Sequence, residues 1–253
     1  MTKIVVTGAN GHMGRVIADI VGGREDCTII AGIDLNTTPN GVFPIVEKPS
    51  MLPEKPDVII DFSHPSALDG LLDYCISNNV PIVIATTGFN DEQKAKIQAA
   101  SEKVAVFFSF NMSLGINLLC ALAKTAARIL GSEFDVEILE KHHHRKLDAP
   151  SGTALMLADA INSATDREYE YIYERHSVRQ PRQPNEIGIS SIRGGTIVGE
   201  HDIIFAGRDE VITLSHQAAS REVFAVGAVN AGIFISDKQA GMYDMSAMIE
   251  QRI

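Results

Sequence analysis

The sequence predicts an α/β protein: an N-terminal doubly wound parallel sheet, followed by a C-terminal α+β domain with a mixed, largely antiparallel sheet. Two observations carry this. Short apolar runs alternate with helical patterns over the first hundred or so residues, which is how a parallel sheet covered on both faces reads. After Asn111 the strands follow one another with little helix between them. In the first part, strands are expected at Lys3–Thr7, Thr28–Asp34, Val58–Phe62, Pro81–Ala85 and Val104–Phe108, with helices at Met13–Val21, Leu68–Asn78 and Asp91–Ser101. Leu114–Leu130 is a long apolar helix candidate. Phe134, Val136 and Ile138 then alternate with Asp135 and Glu137, the period of a half-buried strand. Ile187–Ile192, His201–Phe205 and Val211–His216 are further strands, and Gln180–Asn185, with Pro181 and Pro184, is a loop. The apolar helix pattern Phe224–Ile235 suits a return to the first domain. The expected division is therefore residues 1–112 with 222–253, and residues 113–221.

The bulk properties narrow the function. The chain has 253 residues and a formal net charge of −10, so a general phosphate-backbone partner is disfavoured and no nucleic acid is expected. No apolar run approaching the roughly 18 residues of a membrane span is evident, and the N-terminus enters a strand-like run without the layout of a signal peptide. A cytoplasmic protein with no membrane partner is expected. Cys27, Cys75 and Cys120 are far apart, odd in number and set among apolar residues, which reads as packed, reduced thiols.

After the first strand comes Gly8-Ala9-Asn10-Gly11-His12-Met13-Gly14. Glycines at a strand-to-helix turn let the backbone approach a pyrophosphate, and the helix start adds N–H donors and a positive dipole end. Asn10 stands where the common fingerprint has its middle glycine. Asp34 ends the second strand 20 residues after Gly14, where a carboxylate accepts from the adenosine ribose. This is a Rossmann-type dinucleotide signature. Leu35, Asn36 and Thr37 offer no cation to a 2′-phosphate, which leans toward NADH over NADPH, although Lys3, Arg15 or Arg24 are alternatives. The turns Ala85-Thr86-Thr87-Gly88-Phe89 and Ser109-Phe110-Asn111-Met112 end later strands, where ligands of open parallel sheets bind.

The densest chemistry is Glu140-Lys141-His142-His143-His144-Arg145-Lys146-Leu147-Asp148-Ala149-Pro150-Ser151-Gly152-Thr153-Ala154. His142 and Lys146 are four apart, so they share a face in either a strand or a helix. Pro150-Ser151-Gly152-Thr153 opens an apolar helix pattern, whose N–H groups and hydroxyls form an anion site suited to a carboxylate. A histidine donor beside such a site suits acid catalysis on a small anionic molecule. A metal site is disfavoured, because adjacent strand residues point to opposite faces, and a solvated basic turn is the plainer alternative. Which of His142, His143 and His144 faces the ligand stays open.

This segment closely resembles the signature of the dihydrodipicolinate reductase family, also called 4-hydroxy-tetrahydrodipicolinate reductases. The resemblance runs nearly end to end, through the Gly8–Gly14 loop, the Ala85–Phe89 turn, the Asn111 loop, the stretch from Gly194 to His201 and Gly241-Met242-Tyr243-Asp244-Met245. It implies NADH- or NADPH-dependent reduction of a cyclic dicarboxylate, 4-hydroxy-tetrahydrodipicolinate, in lysine biosynthesis, without a metal. By resemblance, His142 is the catalytic acid and Lys146 its partner. His143, Gly152 and Thr153 contact a substrate carboxylate, with Ser151 added by the anion-site reading. Gly8, Ala9, Asn10, Gly11, His12, Met13, Asp34, Ala85, Thr86, Thr87, Ser109, Phe110, Asn111 and Met112 contact the cofactor. The family usually has glycine where Ala85 stands and often a basic residue where Leu35 stands. Its members are typically homotetramers assembled through the second-domain sheet. The rival readings are another nicotinamide-dependent dehydrogenase of a small carboxylate and a non-catalytic dinucleotide sensor.

Overall fold

The computed structural model describes residues 1–39 and 41–251. Residues 252 and 253, the end of the expected first domain, lie outside the described residues. Two compact units are present: Met1–Ser113 with Glu222–Ile253, and Leu114–Arg221.

The first unit holds β1 (Thr2–Thr7), α1 (His12–Gly22), β2 (Cys27–Ile33), β3 (Ile45–Val46), β4 (Val58–Asp61), α2 (Leu68–Asn78), β5 (Ile82–Ile84), α3 (Asp91–Ser101) and β6 (Ala105–Phe108). The second unit follows with α4 (Leu114–Leu130), β7 (Asp135–His142), α5 (Gly152–Asn162), β8 (Glu170–Ile172), β9 (Glu186–Arg193), β10 (Gly199–Ala206) and β11 (Val211–Ala218). The chain then rejoins the first unit through α6 (Glu222–Ile235), β12 (Gly241–Tyr243) and α7 (Met245–Glu250).

The first sheet has the order β12-β6-β5-β4-β1-β2-β3, and every pairing is parallel. Strands covered on both faces are apolar throughout, as Val58, Ile59 and Ile60 are, each at 0% exposure. On one face, Leu68, Leu71, Leu72 and Cys75 of α2 and Ile97 of α3 pack on Val5, Ile59, Ile82, Ile84 and Val106. On the other, α6 lies so close to β4 that a Cβ at Gly232 would come within 3.0 Å of Ile60. Strand order reverses between β1 and β4, which places the glycine turn after β1 at a topological switch point.

The second sheet has the order β11-β10-β7-β9-β8. It is mixed, but its antiparallel part is confined to β11–β10–β7; β7–β9 and β9–β8 are parallel. The parallel half arises because the chain between β7 and β9 crosses over through α5. Leu119, Ala123 and Ala127 of α4 and Leu157, Ala158 and Ile161 of α5 cover one face, against Val136, Ile138, Ile187, Ile189, Ile203 and Phe205.

Helix α4 corrects one expectation. With the single turn after it, Leu114–Glu133 spans 20 residues and is apolar enough, by composition, to cross a membrane. Lys124 and Arg128 interrupt the apolar sequence, and the stripe Leu119, Ala123 and Ala127 is part of the second core.

Candidate active site

In the first unit, backbone crowding explains the glycines. Gly8 has φ +69°, and a Cβ there would stand 2.5 Å from the Phe62 carbonyl oxygen. A Cβ on Gly14 would fall 2.4 Å from the Gly8 oxygen. Gly11 caps α1 with no side-chain hydrogen bond, so the helix start presents backbone N–H groups to an anion. The adjoining strand end is braced by Asp61, 1% exposed, which accepts from the Thr7 hydroxyl and, at 3.1 Å, from the Ser63 N–H.

Asp34 accepts from the Asn10 N–H and the Asn36 N–H, both at 2.9 Å, one on each oxygen. Each oxygen keeps acceptor capacity for a ribose hydroxyl. Asn10, the departure from the middle glycine, donates its amide to the Asn36 and Thr38 carbonyls and so staples the glycine turn to the chain after β2. Of the cations considered for a 2′-phosphate, Lys3 pairs with Glu54, and Arg24 pairs with Asp26 and Asn230. Arg15 instead lines a cleft of about 460 Å³ with Asn10, Asn36 and Thr38. Among the other cofactor candidates, Thr86 is buried with its hydroxyl unpartnered, Thr87 is exposed, and Phe110 is 72% exposed. Ser109 donates to the Asn111 carbonyl, and Asn111 accepts from the Ser113 N–H. Met112 is buried where α6 approaches its carbonyl. These observations fit a dinucleotide: a cradle that a Cβ would fill, a helix start and an acceptor carboxylate.

In the second unit the chemistry gathers at the end of β7. Glu140 and His142 lie two apart on the buried face. His142 Nδ1 is 2.6 Å from Glu140 Oε2. Glu140 is fully buried and takes a two-pronged bond from Arg193 of β9 at 2.7 and 2.8 Å, with the Ser151 N–H at 3.1 Å. Burial alone would raise the Glu140 pKa. Arg193, Ser191 and His142 outweigh it and hold the carboxyl down at about 2. An ionised carboxylate only accepts, so His142 carries its proton on Nδ1 in this pair. A Cβ on Gly199 would sit 3.1 Å from His142 Nε2.

Ser151, 2% exposed, caps α5 by accepting from the Ala154 N–H, and its hydroxyl lies 3.1 Å from His201 Nε2. Its side chain therefore faces inward. Gly152, next in line, offers an N–H with no acceptor inside the helix, and Thr153 follows it in the same first turn. His201 packs edge-on to His142 at 5.2 Å between ring centres. Burial, helped by His142, pushes the His201 pKa down to about 4, and Lys146 adds to the effect.

The shared-face argument for His142 and Lys146 needs correction. Strand β7 ends at His142, and residues 143–146 form a turn closed by the Lys146 N–H to the His143 carbonyl. Lys146 pairs with Asp148 at 2.9 Å and remains 21% exposed. His143 Nε2 accepts from Arg221 at 3.2 Å. Burial first, then the Arg221 guanidinium, lowers its pKa. His144 is exposed.

Sequence reasoning gave no role to Glu140, Arg193, His201 or Arg221. The signal for Glu140 lay in the alternation of β7: extending Val136 and Ile138 by twos reaches Glu140 and His142. Arg193 and His201 depend on strand pairing, which a single sequence does not reveal. The cysteines bear no nucleophile's signature. Burial raises the pKa of all three, Cys120 to about 11.

Comparison with known proteins bears on the whole chain. Residues 2–112 match the family model described as "Dihydrodipicolinate reductase, N-terminus", and residues 115–249 match "Dihydrodipicolinate reductase, C-terminus". A 4-hydroxy-tetrahydrodipicolinate reductase of Caldanaerobacter subterraneus subsp. tengcongensis is 47% identical over 251 residues, 99% of each chain. One of Clostridium tetani is 46% identical over 249 residues, 98% of this chain and 97% of the relative. Among solved structures, a dipicolinate-bound dihydrodipicolinate reductase from Paenisporosarcina sp. TG-14 superposes with a TM-score of 0.80 at 28% identity, covering 96% of this chain and 97% of that one. A probable dehydrogenase from Thermotoga maritima, 12% identical with a TM-score of 0.63 over 95% of this chain and 91% of its own, shares the fold. With both halves matched and the likeness continuous between them, the chain belongs to the dihydrodipicolinate reductase family.

Proposed function

We propose that the protein uses a nicotinamide cofactor to convert 4-hydroxy-tetrahydrodipicolinate to tetrahydrodipicolinate and water, a step of lysine biosynthesis. The observation that carries this reading is the joining, through Glu140, of a histidine to the start of α5. A proton donor beside an anion-binding helix start suits an imine dicarboxylate.

When bound, the cofactor supplies the hydride. Gly8, Ala9, Asn10, Gly11, His12 and Met13 cradle its pyrophosphate, and Asp34 takes its ribose. The Ala85–Thr87 and Ser109–Met112 turns line the nicotinamide half. His142 holds a proton on Nε2, the ring atom that a Cβ at Gly199 would crowd, and delivers it as charge develops toward the substrate's ring nitrogen. Lys146 exchanges Asp148 for a substrate carboxylate. The N–H of Gly152, the Thr153 hydroxyl and the dipole of α5 hold that carboxylate, with His143 beside it. One hydride and one proton enter, and the hydroxyl leaves as water. Ser151 serves through its neighbours, as helix cap and as donor to Glu140.

The reading admits both cofactors, with NADH favoured. Leu35, 92% exposed, gives no cation beside Asp34, while Arg15 in the adjoining cleft is available to a 2′-phosphate. It also includes a cytoplasmic location, supported by three unpaired thiols, and a homotetramer. The sheet face opposite α4 and α5 supports the assembly, since it leaves Ile192 45% and Val211 63% exposed.

The test is a coupled assay. Aspartate semialdehyde and pyruvate are condensed by the preceding synthase, and oxidation of NADH and NADPH is followed. Synthase-dependent oxidation is expected, with turnover reduced about 10²- to 10⁴-fold in His142→Gln. No oxidation of either cofactor, with both still bound, overturns the reading in favour of a dinucleotide sensor.

A further inference from the structure

We propose that Glu140 is a positioning residue of the reaction: held by Arg193, it keeps the His142 Nδ1–H turned inward, so that the proton the ring gives is the one on Nε2, and it ties that donor to the carboxylate-binding start of α5. This rests on the reading of His142 as the proton donor and says what makes it one.

The geometry is specific. Glu140 has no exposed surface, and each of its oxygens takes at least two hydrogen bonds. Oε2 takes His142 Nδ1 and one Arg193 nitrogen; Oε1 takes the other Arg193 nitrogen and the Ser151 N–H. The same carboxylate thus touches the ring that gives the proton and the residue that caps the anion-binding helix. With Nδ1 committed inward, Nε2 is the ring atom left for a substrate, and any tilt of Glu140 moves both parts together. Arg193 is anchored independently of Glu140, by the carbonyls of Ile192 at 2.8 Å and Asp148 at 2.6 Å. Glu140→Gln therefore removes the charge and preserves side-chain volume while both Arg193 Nη groups keep a carbonyl, and its amide nitrogen takes the place of one acceptor oxygen.

The charged and titratable groups around His142 are few enough to assign the effect. Glu140 lies on its own strand, Arg193 on β9, His201 on β10 with His216 of β11 paired opposite it, and His143 and Lys146 on the turn that follows. Asp148, the partner of Lys146 at 2.9 Å, is negative as well, but Glu140 is the carboxylate that touches the ring.

The experiment measures kcat and KM for the wild type, Glu140→Gln, His142→Gln and the double variant. The expected result for Glu140→Gln is a kcat reduced by about tenfold or more with a smaller change in substrate KM. In the His142→Gln background, the Glu140 change is expected to cost less than about twofold, because both substitutions act through one ring. Wild-type kcat in Glu140→Gln, or full additivity in the double variant, overturns the proposal. Wild-type turnover in His142→Gln would instead sink the reading of the acid itself. If Glu140→Gln fails to fold by circular dichroism, nitrogen-15 spectra of the wild-type histidines decide. His142, assigned by its absence from folded His142→Gln, is expected as the Nδ1–H tautomer when neutral, and the Nε2–H tautomer overturns the proposal.

Discussion

Gly199 matters for the side chain it lacks. A methyl there would press to 3.1 Å of His142 Nε2, tighter than most carbon contacts, and the ring behind it is held by Glu140 and packed on His201. With little room to yield, the imidazole of Gly199→Ala is displaced by a few tenths of an ångström. The expected result is a kcat about tenfold lower at nearly unchanged melting temperature, measured by steady-state kinetics and thermal unfolding. Unchanged kcat would show that Nε2 is not the working atom. Parity along β7 made this corner readable in part. The buried rhythm of Val136 and Ile138 passes through Glu140 to His142, so the dyad was in the sequence. The partners across the sheet, Arg193 and His201, were not, because register is a property of pairing rather than of one strand.

Among the elements, β2 and the helix start of α1 act as one device, joined by Asp34. Its carboxylate is shared between the Asn10 and Asn36 N–H groups, so Asp34→Ala loosens the glycine turn as well as removing a ribose acceptor. Calorimetry is expected to show cofactor affinity roughly tenfold weaker, the worth of one hydrogen bond to a charged group, with binding of a pyridine dicarboxylate to the second unit unchanged. Equal loss of both would assign Asp34 to general stability. Helices α2, α3 and α4 were legible to the residue: α2 and α4 repeat apolar residues at helical spacing, and Asn90 caps α3 with a reciprocal bond from Gln93. Strands β3, β8 and β12 went unread. Two or three residues cannot show an alternation of period two, and each lies at a sheet edge, where burial imposes little pattern.

For the molecule as a whole, two buried groups contribute to the response to acid, beside His143 and His216, which burial also holds toward the neutral form. His201 is held neutral, its pKa down at about 4 against an ordinary 6.5. Between those values the unfolded chain binds the extra proton, so the stability this provides is complete above pH 6.5 and is lost as pH falls to 4. Glu140 is held charged, at about 2 against 4.5, so its contribution is complete above pH 4.5 and is lost as pH falls toward 2. Each shift corresponds to stability on the order of 3 kcal/mol. Urea unfolding is expected to show a midpoint level above pH 7 that declines from pH 6.5, with the upper part of the decline flattened in His201→Gln. The same slope in the variant would remove His201 from the account.

The divided first unit has a further consequence, for synthesis. Its sheet is completed on the β6 side by β12, and α6 covers β4 and β5, yet both arrive after residue 221. The second unit is one continuous stretch. A nascent chain therefore completes the second unit first, while Val58, Ile60 and Met112 wait uncovered until α6 has left the ribosome. A chain stopped near residue 221 retains the whole histidine corner but leaves the nucleotide-type sheet with a bare edge and an exposed apolar face, a substrate for chaperones rather than half an enzyme.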